Sequence, residues 1–156
     1  SNTEAVKSEI GTFFEAFPQG MIFANTYNGE GYDLVLLGQL DPKPIDVNAI
    51  AERLERPEYL PIAQSLQQIG MNSVVDLFAT YAGQAGDFQP WLADAQINRD
   101  RNLRLQYLAG RGLNLYQANV IYAEMRTFSQ APEGVFTGSD DVMDRLMGEI
   151  RTFQGR

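Results

Sequence analysis

Apolar residues recur at helical spacing along most of the chain. Within residues 4–17, apolar residues fall at helical spacing and predict an amphipathic helix: Val6, Ile10, Phe13, Phe14 and Phe17. Pro18 follows directly and predicts the end of that helix. Similar stripes, bounded by Asp, Ser, Gly or Pro, predict further helices over about 46–56, 61–69, 73–82, 114–129 and 139–153.

Two short apolar segments interrupt the helical pattern early in the chain. Residues 21–27 and 33–38 are rich in apolar and β-branched side chains, and the turn-forming sequence Asn-Gly-Glu-Gly lies between them at 28–31. Two strands joined by a short glycine-containing turn predict an antiparallel β-hairpin. The second segment is apolar at nearly every position, which predicts a strand that is covered on both faces.

A different pattern occurs at residues 97–108. Leu103, Leu105 and Tyr107 alternate with polar residues, and this period of two predicts an extended segment with one buried face. With the hairpin and the helices, the chain is predicted to have an α+β fold that is mostly helical and contains one small antiparallel hairpin.

The composition excludes several kinds of chemistry. The 156 residues carry a net charge of −8, and a nucleic-acid partner is not expected because a phosphate-binding surface needs an excess of basic residues. Cysteine and histidine are both absent, so thiolate chemistry, disulfides and the commonest general base are excluded. No apolar run reaches the roughly 18 residues that a membrane-spanning helix needs, and direct membrane insertion is not expected.

A set of short motifs runs through the first two thirds of the chain in a fixed order. Each motif is weak alone, and their order and spacing carry the information. They are residues 12–18 (TFFEAFP), the hairpin that ends at Gly38, Asp46 before a helix, residues 73–78 (SVVDLF), and Asn98-x-Asp100 followed by Gln106 and Tyr107.

In this order the motifs resemble the C-terminal part of bacterial spermidine synthase-like proteins, which are polyamine aminopropyltransferases with a methyltransferase-like fold. The resemblance covers residues 1–108, and residues 109–156 would be a helical extension packed on that part. It implies a parent protein that transfers an aminopropyl group to a polyamine. Gln106 departs from the Glu that often stands in the final motif.

The resemblance also implies that most of the catalytic residues lie upstream of residue 1. The family's glycine-rich nucleotide loop and its catalytic Asp loop precede the matched region, so this chain alone is expected to be inactive and to bind no cofactor or metal. Gly110-Arg111-Gly112 does not replace the nucleotide loop, because Leu115 stands where the dinucleotide pattern needs a third glycine.

Asn98 and Asp100 are the candidate substrate-binding residues. An amide and a carboxylate two positions apart are able to orient a substrate amine. The alternative interpretation, which the residue types favour, is that one of them accepts hydrogen bonds from nearby backbone N–H groups in a turn.

The expected partner is the upstream nucleotide-binding part of the parent chain, with a homodimer formed by strand addition at residues 33–38 as a second expectation. The expected location is cytoplasmic, with a parent that is anchored to a membrane in some members of the family. An alternative function is a non-catalytic, soluble interaction domain of a membrane-anchored protein.

Overall fold

The computed structural model describes residues 2–27, 30–111 and 117–155 and confirms an α+β fold with a small antiparallel sheet. The chain forms two compact units, the first from residues 1–42 and 82–130 and the second from residues 43–81 and 131–156. In chain order, the elements are α1 (Thr3–Ala16), β1 (Met21–Tyr27), β2 (Glu30–Leu37), β3 (Ile45–Asp46), α2 (Val47–Leu54), a 3₁₀ turn (Pro57–Tyr59), α3 (Leu60–Gln68), α4 (Val74–Phe78), β4 (Tyr81–Gln84), α5 (Arg104–Arg111), α6 (Ala118–Arg126), β5 (Phe136–Thr137) and α7 (Asp140–Gln154).

Helix α1 confirms the first predicted helix and forms one wall of the first unit. It begins at Asn2, whose side-chain oxygen accepts a hydrogen bond from the Ala5 N–H at 2.7 Å. This bond satisfies one of the backbone donors that have no partner within the helix. Ile10 and Phe14 project from one face of α1 into the core, as the apolar stripe predicts.

The predicted hairpin is confirmed, although its second strand begins earlier than expected. Strands β1 and β2 pair antiparallel, with Met21 opposite Leu37 and Tyr27 opposite Glu30. Strand β4 joins the sheet on the other side of β1, so β2 is an outer strand. One edge of β2 therefore faces away from the sheet.

An irregularity in β2 sets which residues share a face of the sheet. The pairing skips Tyr32, since Asn25 lies opposite Asp33 and Thr26 lies opposite Gly31. The extra residue of such a bulge reverses the inside–outside alternation. Gly31 therefore shares the buried face of the sheet with Leu34 and Leu36.

The other face of β2 departs from the prediction. Val35 is 55% exposed and Leu37 is 38% exposed, whereas the apolar pattern predicted a strand that is covered on both sides. The expectation is therefore wrong for β2 as the structure describes it, and the strand presents two large apolar side chains to solvent.

The prediction of an extended segment over 97–108 is also wrong. Residues 104–111 form helix α5, which lies against α1 and buries Leu108, while Tyr107 is 68% exposed. Three alternating apolar residues were too short a pattern to distinguish a strand from a helix. The helix is stabilised locally, because the side chains of Asn102 and Asn98 accept hydrogen bonds from the first backbone N–H groups of α5.

The second unit confirms the predicted helix starts at Asp46 and Ser73. The Asp46 carboxylate accepts a hydrogen bond from the Ala49 N–H at 2.9 Å. Ser73 and Asp76 form a reciprocal capping box at the start of α4. Val47, Leu146 and Ile150 are buried in this unit, and its two-residue strands β3 and β5 pair in parallel.

Helix α4 is shorter than predicted. It ends at Phe78, whereas the apolar stripe predicts a helix to about residue 82, and residues 81–84 form strand β4. Tyr81, Ala82 and Gly83 are all buried. Backbone pairing with β1 stabilises an extended conformation here, and single-sequence patterns do not contain that long-range contact.

The two compact units follow from contacts within the structure. The predicted boundary between residues 1–108 and 109–156 rests instead on family resemblance, and it stays a prediction.

Candidate functional site

The candidate residues Asn98 and Asp100 lie in a loop, residues 97–103, that leads into α5. The Asn98 side-chain oxygen accepts a hydrogen bond from the Leu105 N–H at 2.9 Å. The Asn98 backbone N–H donates to the Thr12 hydroxyl oxygen at 2.8 Å and so ties the loop to α1. The amide of Asn98 thus stabilises the start of α5, as the alternative interpretation of this residue expected.

Asp100 differs from Asn98 because its side chain is exposed. Within the described part of the chain, its carboxylate forms no ion pair or side-chain hydrogen bond. An exposed carboxylate of this kind is accessible to a cationic group from another molecule. The substrate-binding role of the Asn98 and Asp100 pair stays a prediction.

Sequence reasoning missed Asn102, which organises the same loop. Its side-chain oxygen accepts hydrogen bonds from the backbone N–H groups of Arg99, at 2.8 Å, and Arg104, at 3.2 Å. Its side-chain amide donates to the Ile97 carbonyl at 3.0 Å. Asn side chains often make such bonds near a helix start, but the period-two pattern predicts an extended segment after Asn102 and so conceals this role.

The loop also contains a strained backbone position. Leu103 has φ of 45°, in the left-handed region that bulky residues seldom adopt. This conformation costs roughly 1–2 kcal/mol relative to the right-handed one. The hydrogen bonds of Asn98 and Asn102 hold the chain on either side of Leu103.

The arginines around the loop pair with α1. Arg99 contacts Glu15 at 2.7 Å, and Arg104 contacts Glu4 at 3.3 Å. These ion pairs are partly exposed, and exposed pairs contribute little to stability. These contacts form a salt-bridged surface. Both guanidinium groups are paired with carboxylates and are therefore not available to bind an anion.

A second feature of the first unit is a cavity of about 220 Å³ between α1, β2 and α6. Its apolar walls consist of Val6, Ile10, Leu34, Leu36, Ile121 and Met125. Glu9 and Asp33 also line it. Burial raises the pKa of Tyr122, another lining residue, above 10.0, and the nearby Arg126 guanidinium opposes that shift.

The second unit contains a larger groove of about 450 Å³ between α2, α3, α4 and α7. Its apolar lining includes Leu54, Leu66, Met71 and Val142. Helix α3 contributes no fully buried residue, and Leu60 and Ile62 are exposed on it. Polar residues, among them Asn48, Glu55 and Arg145, share the lining, so the groove is a partly apolar surface within the second unit.

Two kinds of site are not found in the part of the chain that the structure describes. No group of three or more acidic residues is placed to hold a metal ion. None of the helices in residues 2–27, 30–111 and 117–155 has the length and apolar character needed to cross a membrane.

Comparison of the chain with models of protein families, with curated proteins and with solved structures found no match.

Proposed function

We propose that this chain is the C-terminal part of a spermidine synthase-like protein and has no catalytic activity by itself. In the proposed parent protein, an aminopropyl group passes from the sulfonium of decarboxylated S-adenosylmethionine to a polyamine nitrogen. The carbon–sulfur bond breaks, a carbon–nitrogen bond forms, and methylthioadenosine and a proton are released. The ordered motifs between residues 12 and 107 support this proposal.

The structural observation that carries the proposal is the outer edge of β2. The order helix, strand, antiparallel strand in α1, β1 and β2 is what the end of a methyltransferase-like fold would contribute. Among the described residues, strand β2 has a sheet neighbour on one side, which is β1, and Val35 and Leu37 are exposed on it. An apolar strand with one unpaired edge is a template for another strand.

We assign that edge to the upstream, nucleotide-binding part of the parent chain. A strand from the upstream sheet would pair with β2, and the elements that accompany it would cover Val35 and Leu37. The apolar pattern of residues 33–38 agrees with this arrangement, since strands that are covered on both faces are apolar at successive positions.

Asn98 and Asp100 are the residues that this proposal places closest to the substrate. Asp100 is exposed and would offer its carboxylate to a substrate ammonium group. Asn98 would act as a positioning residue, because its side chain fixes the loop through Leu105.

A non-catalytic interaction domain is the second candidate function. The observation in its favour is the partly apolar groove between α2, α3, α4 and α7, together with the exposed Leu60 and Ile62 of α3. Contiguous exposed apolar surface is typical of protein interaction sites. An interaction domain of this kind would require neither a nucleotide loop nor Asp100.

The experiment that separates the two candidates measures methylthioadenosine release with decarboxylated S-adenosylmethionine and a panel of polyamines. The complete parent protein is compared with this chain and with a parent that carries Asp100→Asn. We expect the parent to release methylthioadenosine, the isolated chain to release none, and the variant to show a raised KM for the amine. An inactive parent, or activity of the isolated chain, would contradict the proposal.

A further inference from the structure

The residues that line the cavity of the first unit favour a ligand with a positive charge. It lies between α1, β2 and α6, and its walls are mostly aliphatic. The charged residues among its lining residues are Glu9 and Asp33, and both are acidic. Among the described residues, the lining combines aliphatic walls with two carboxylates and contains no cationic side chain, and the guanidinium of Arg126 lies 6.0 Å from the centre of the Tyr122 ring. This lining favours a ligand with an apolar body and a positive charge.

The two carboxylates are available to such a ligand. Both Glu9 and Asp33 are exposed, and neither forms an ion pair within the described residues. One Asp33 oxygen accepts a hydrogen bond from the Leu34 N–H at 2.9 Å, which restrains that carboxylate next to the cavity wall. The nearby acidic residues of α1 differ in this respect, because Glu4 and Glu15 are paired with arginines.

The sheet geometry brings the Tyr122 side chain to the cavity wall. The bulge at Tyr32 places Gly31 on the same face as Leu34 and Leu36. Because Gly31 has no side chain, Tyr122 of α6 approaches the strand backbone closely there. The aromatic ring therefore forms part of the cavity lining beside the aliphatic walls.

The size of the cavity limits the ligand. An apolar protein cavity of roughly 150 Å³ accommodates benzene. A volume of about 220 Å³ then suits a benzene-sized group that carries a short chain. A long, multiply charged amine without an apolar body does not match these walls, since each buried ammonium would lose its hydration without a partner.

We propose that this cavity is a binding site for a small monoamine whose apolar body lies between α1, β2 and α6. Its ammonium group lies near Glu9 and Asp33. The apolar body supplies the contact area, and the carboxylates provide the preference for a cation over a neutral molecule of the same shape. This site is independent of Asn98, Asp100 and the outer edge of β2.

The test uses three probes of nearly equal shape with the intact chain: phenethylammonium, the neutral 2-phenylethanol, and the anion phenylacetate. Each is titrated by NMR at low ionic strength while the methyl signals of Leu36, Ile121 and Met125 are followed. We expect saturable shifts at these methyl groups with phenethylammonium, and an affinity about two- to tenfold higher than for the alcohol, as one or two exposed ion pairs provide. Phenylacetate is expected to bind more weakly than either.

Two variants and a control complete the experiment. Glu9→Gln is expected to remove most of the preference for the ammonium over the alcohol while the affinity for the alcohol is retained. Val6→Phe is expected to fill the cavity and weaken both ligands together. Glu52→Gln, an equally conservative change of an exposed residue on α2, is expected to change neither affinity.

Equal affinity for the ammonium and the alcohol would overturn the proposal, as would the absence of saturable shifts at the three methyl groups. An unchanged preference in a folded Glu9→Gln variant would overturn the assignment of the ammonium position. If Val6→Phe does not fold, the Glu9→Gln comparison still decides the question.

Discussion

Gly31 of β2 lies directly against Tyr122 of α6. A Cβ atom at position 31 would overlap the Cβ and Cγ atoms of Tyr122, and the helix backbone fixes that Cβ atom, which side-chain rotation does not move. The contact fixes the distance between α6 and the sheet and so determines the shape of the cavity beside it.

The Gly31→Ala substitution is expected to lower the free energy of unfolding by about 1–3 kcal/mol, the usual cost of overpacking in a filled interior. Urea denaturation measures the change. Gly148→Ala in α7 is the matched control, because a Cβ atom there meets no other atom within 4 Å. That change is expected to stabilise the protein by about 0.4–1 kcal/mol. Equal effects of the two substitutions would contradict the packing of α6 on β2.

The loop before α5 gives a second stability prediction. Asn98→Ala removes the acceptor for the Leu105 N–H and is expected to cost about 0.5–2 kcal/mol, as the loss of a helix cap does. Asp100→Ala is expected to change the free energy of unfolding by no more than about 0.5 kcal/mol, because the side chain is exposed. An equally large loss from Asp100→Ala would mean that Asp100 has a structural role.

A third prediction concerns the pH dependence of the Lys7–Asp94 ion pair. The Lys7 ammonium, 2.8 Å from the Asp94 carboxylate, donates a hydrogen bond and lowers the pKa of Asp94 below its ordinary value of 3.8. A carboxyl whose pKa is lower in the folded state contributes stability above its unfolded pKa, and the contribution is lost as the pH falls through the folded pKa. Lys7→Met is therefore expected to return the Asp94 titration toward 3.8 in an NMR experiment.

Arg101→Met is the control for that titration. Arg101 is exposed and forms no ion pair in the part of the chain that the structure describes, so its loss is expected to leave the titration of Asp94 unchanged. A lowered pKa of Asp94 that persists in Lys7→Met would contradict the assigned cause.

The outer edge of β2 leads to a prediction about assembly. In the absence of the upstream partner that we propose, two copies of the chain are expected to pair through β2 as a two-fold dimer. Multi-angle light scattering over a range of concentrations would detect a mass above the 17.4 kDa of one chain. Val35→Lys is expected to restore the monomer, because lysine on an exposed edge strand opposes strand addition.

Leu40→Lys is the matched control for the assembly experiment. Leu40 is also a large exposed apolar residue, but it lies beyond the end of β2. This substitution is expected to leave the dimer intact. A monomer at every concentration, or a dimer that Leu40→Lys disrupts as strongly as Val35→Lys, would contradict pairing through β2.

The parts of the fold that were predictable from sequence are those with strong local signals. The stripe that includes Ile10 located α1, and the side chains of Asp46 and Ser73 marked helix starts because each accepts a backbone hydrogen bond. The hairpin was predictable because two apolar segments flank a turn-forming sequence.

The features that escaped prediction depend on contacts that are distant in sequence or on side-chain geometry in a loop. Strand β4 exists because β1 lies beside it, 54 or more residues earlier in the chain. Helix α5 was mistaken for a strand because its first turn depends on the hydrogen bonds of Asn98 and Asn102. The cavity results from the meeting of α1, β2 and α6 in three dimensions, and no single segment carries its pattern.

The central claim is that the outer edge of β2 pairs with the upstream part of a parent protein, and amide hydrogen exchange of residues 30–37 tests it most directly. Every second N–H of β2 points away from β1. The measurement compares the complete parent with this chain, at a concentration where light scattering finds the monomer. We predict that these outward-pointing amides exchange at least tenfold more slowly in the parent, since a paired amide exchanges only when the structure opens. Equal exchange rates in the two proteins would contradict the proposed pairing and the origin that it supports.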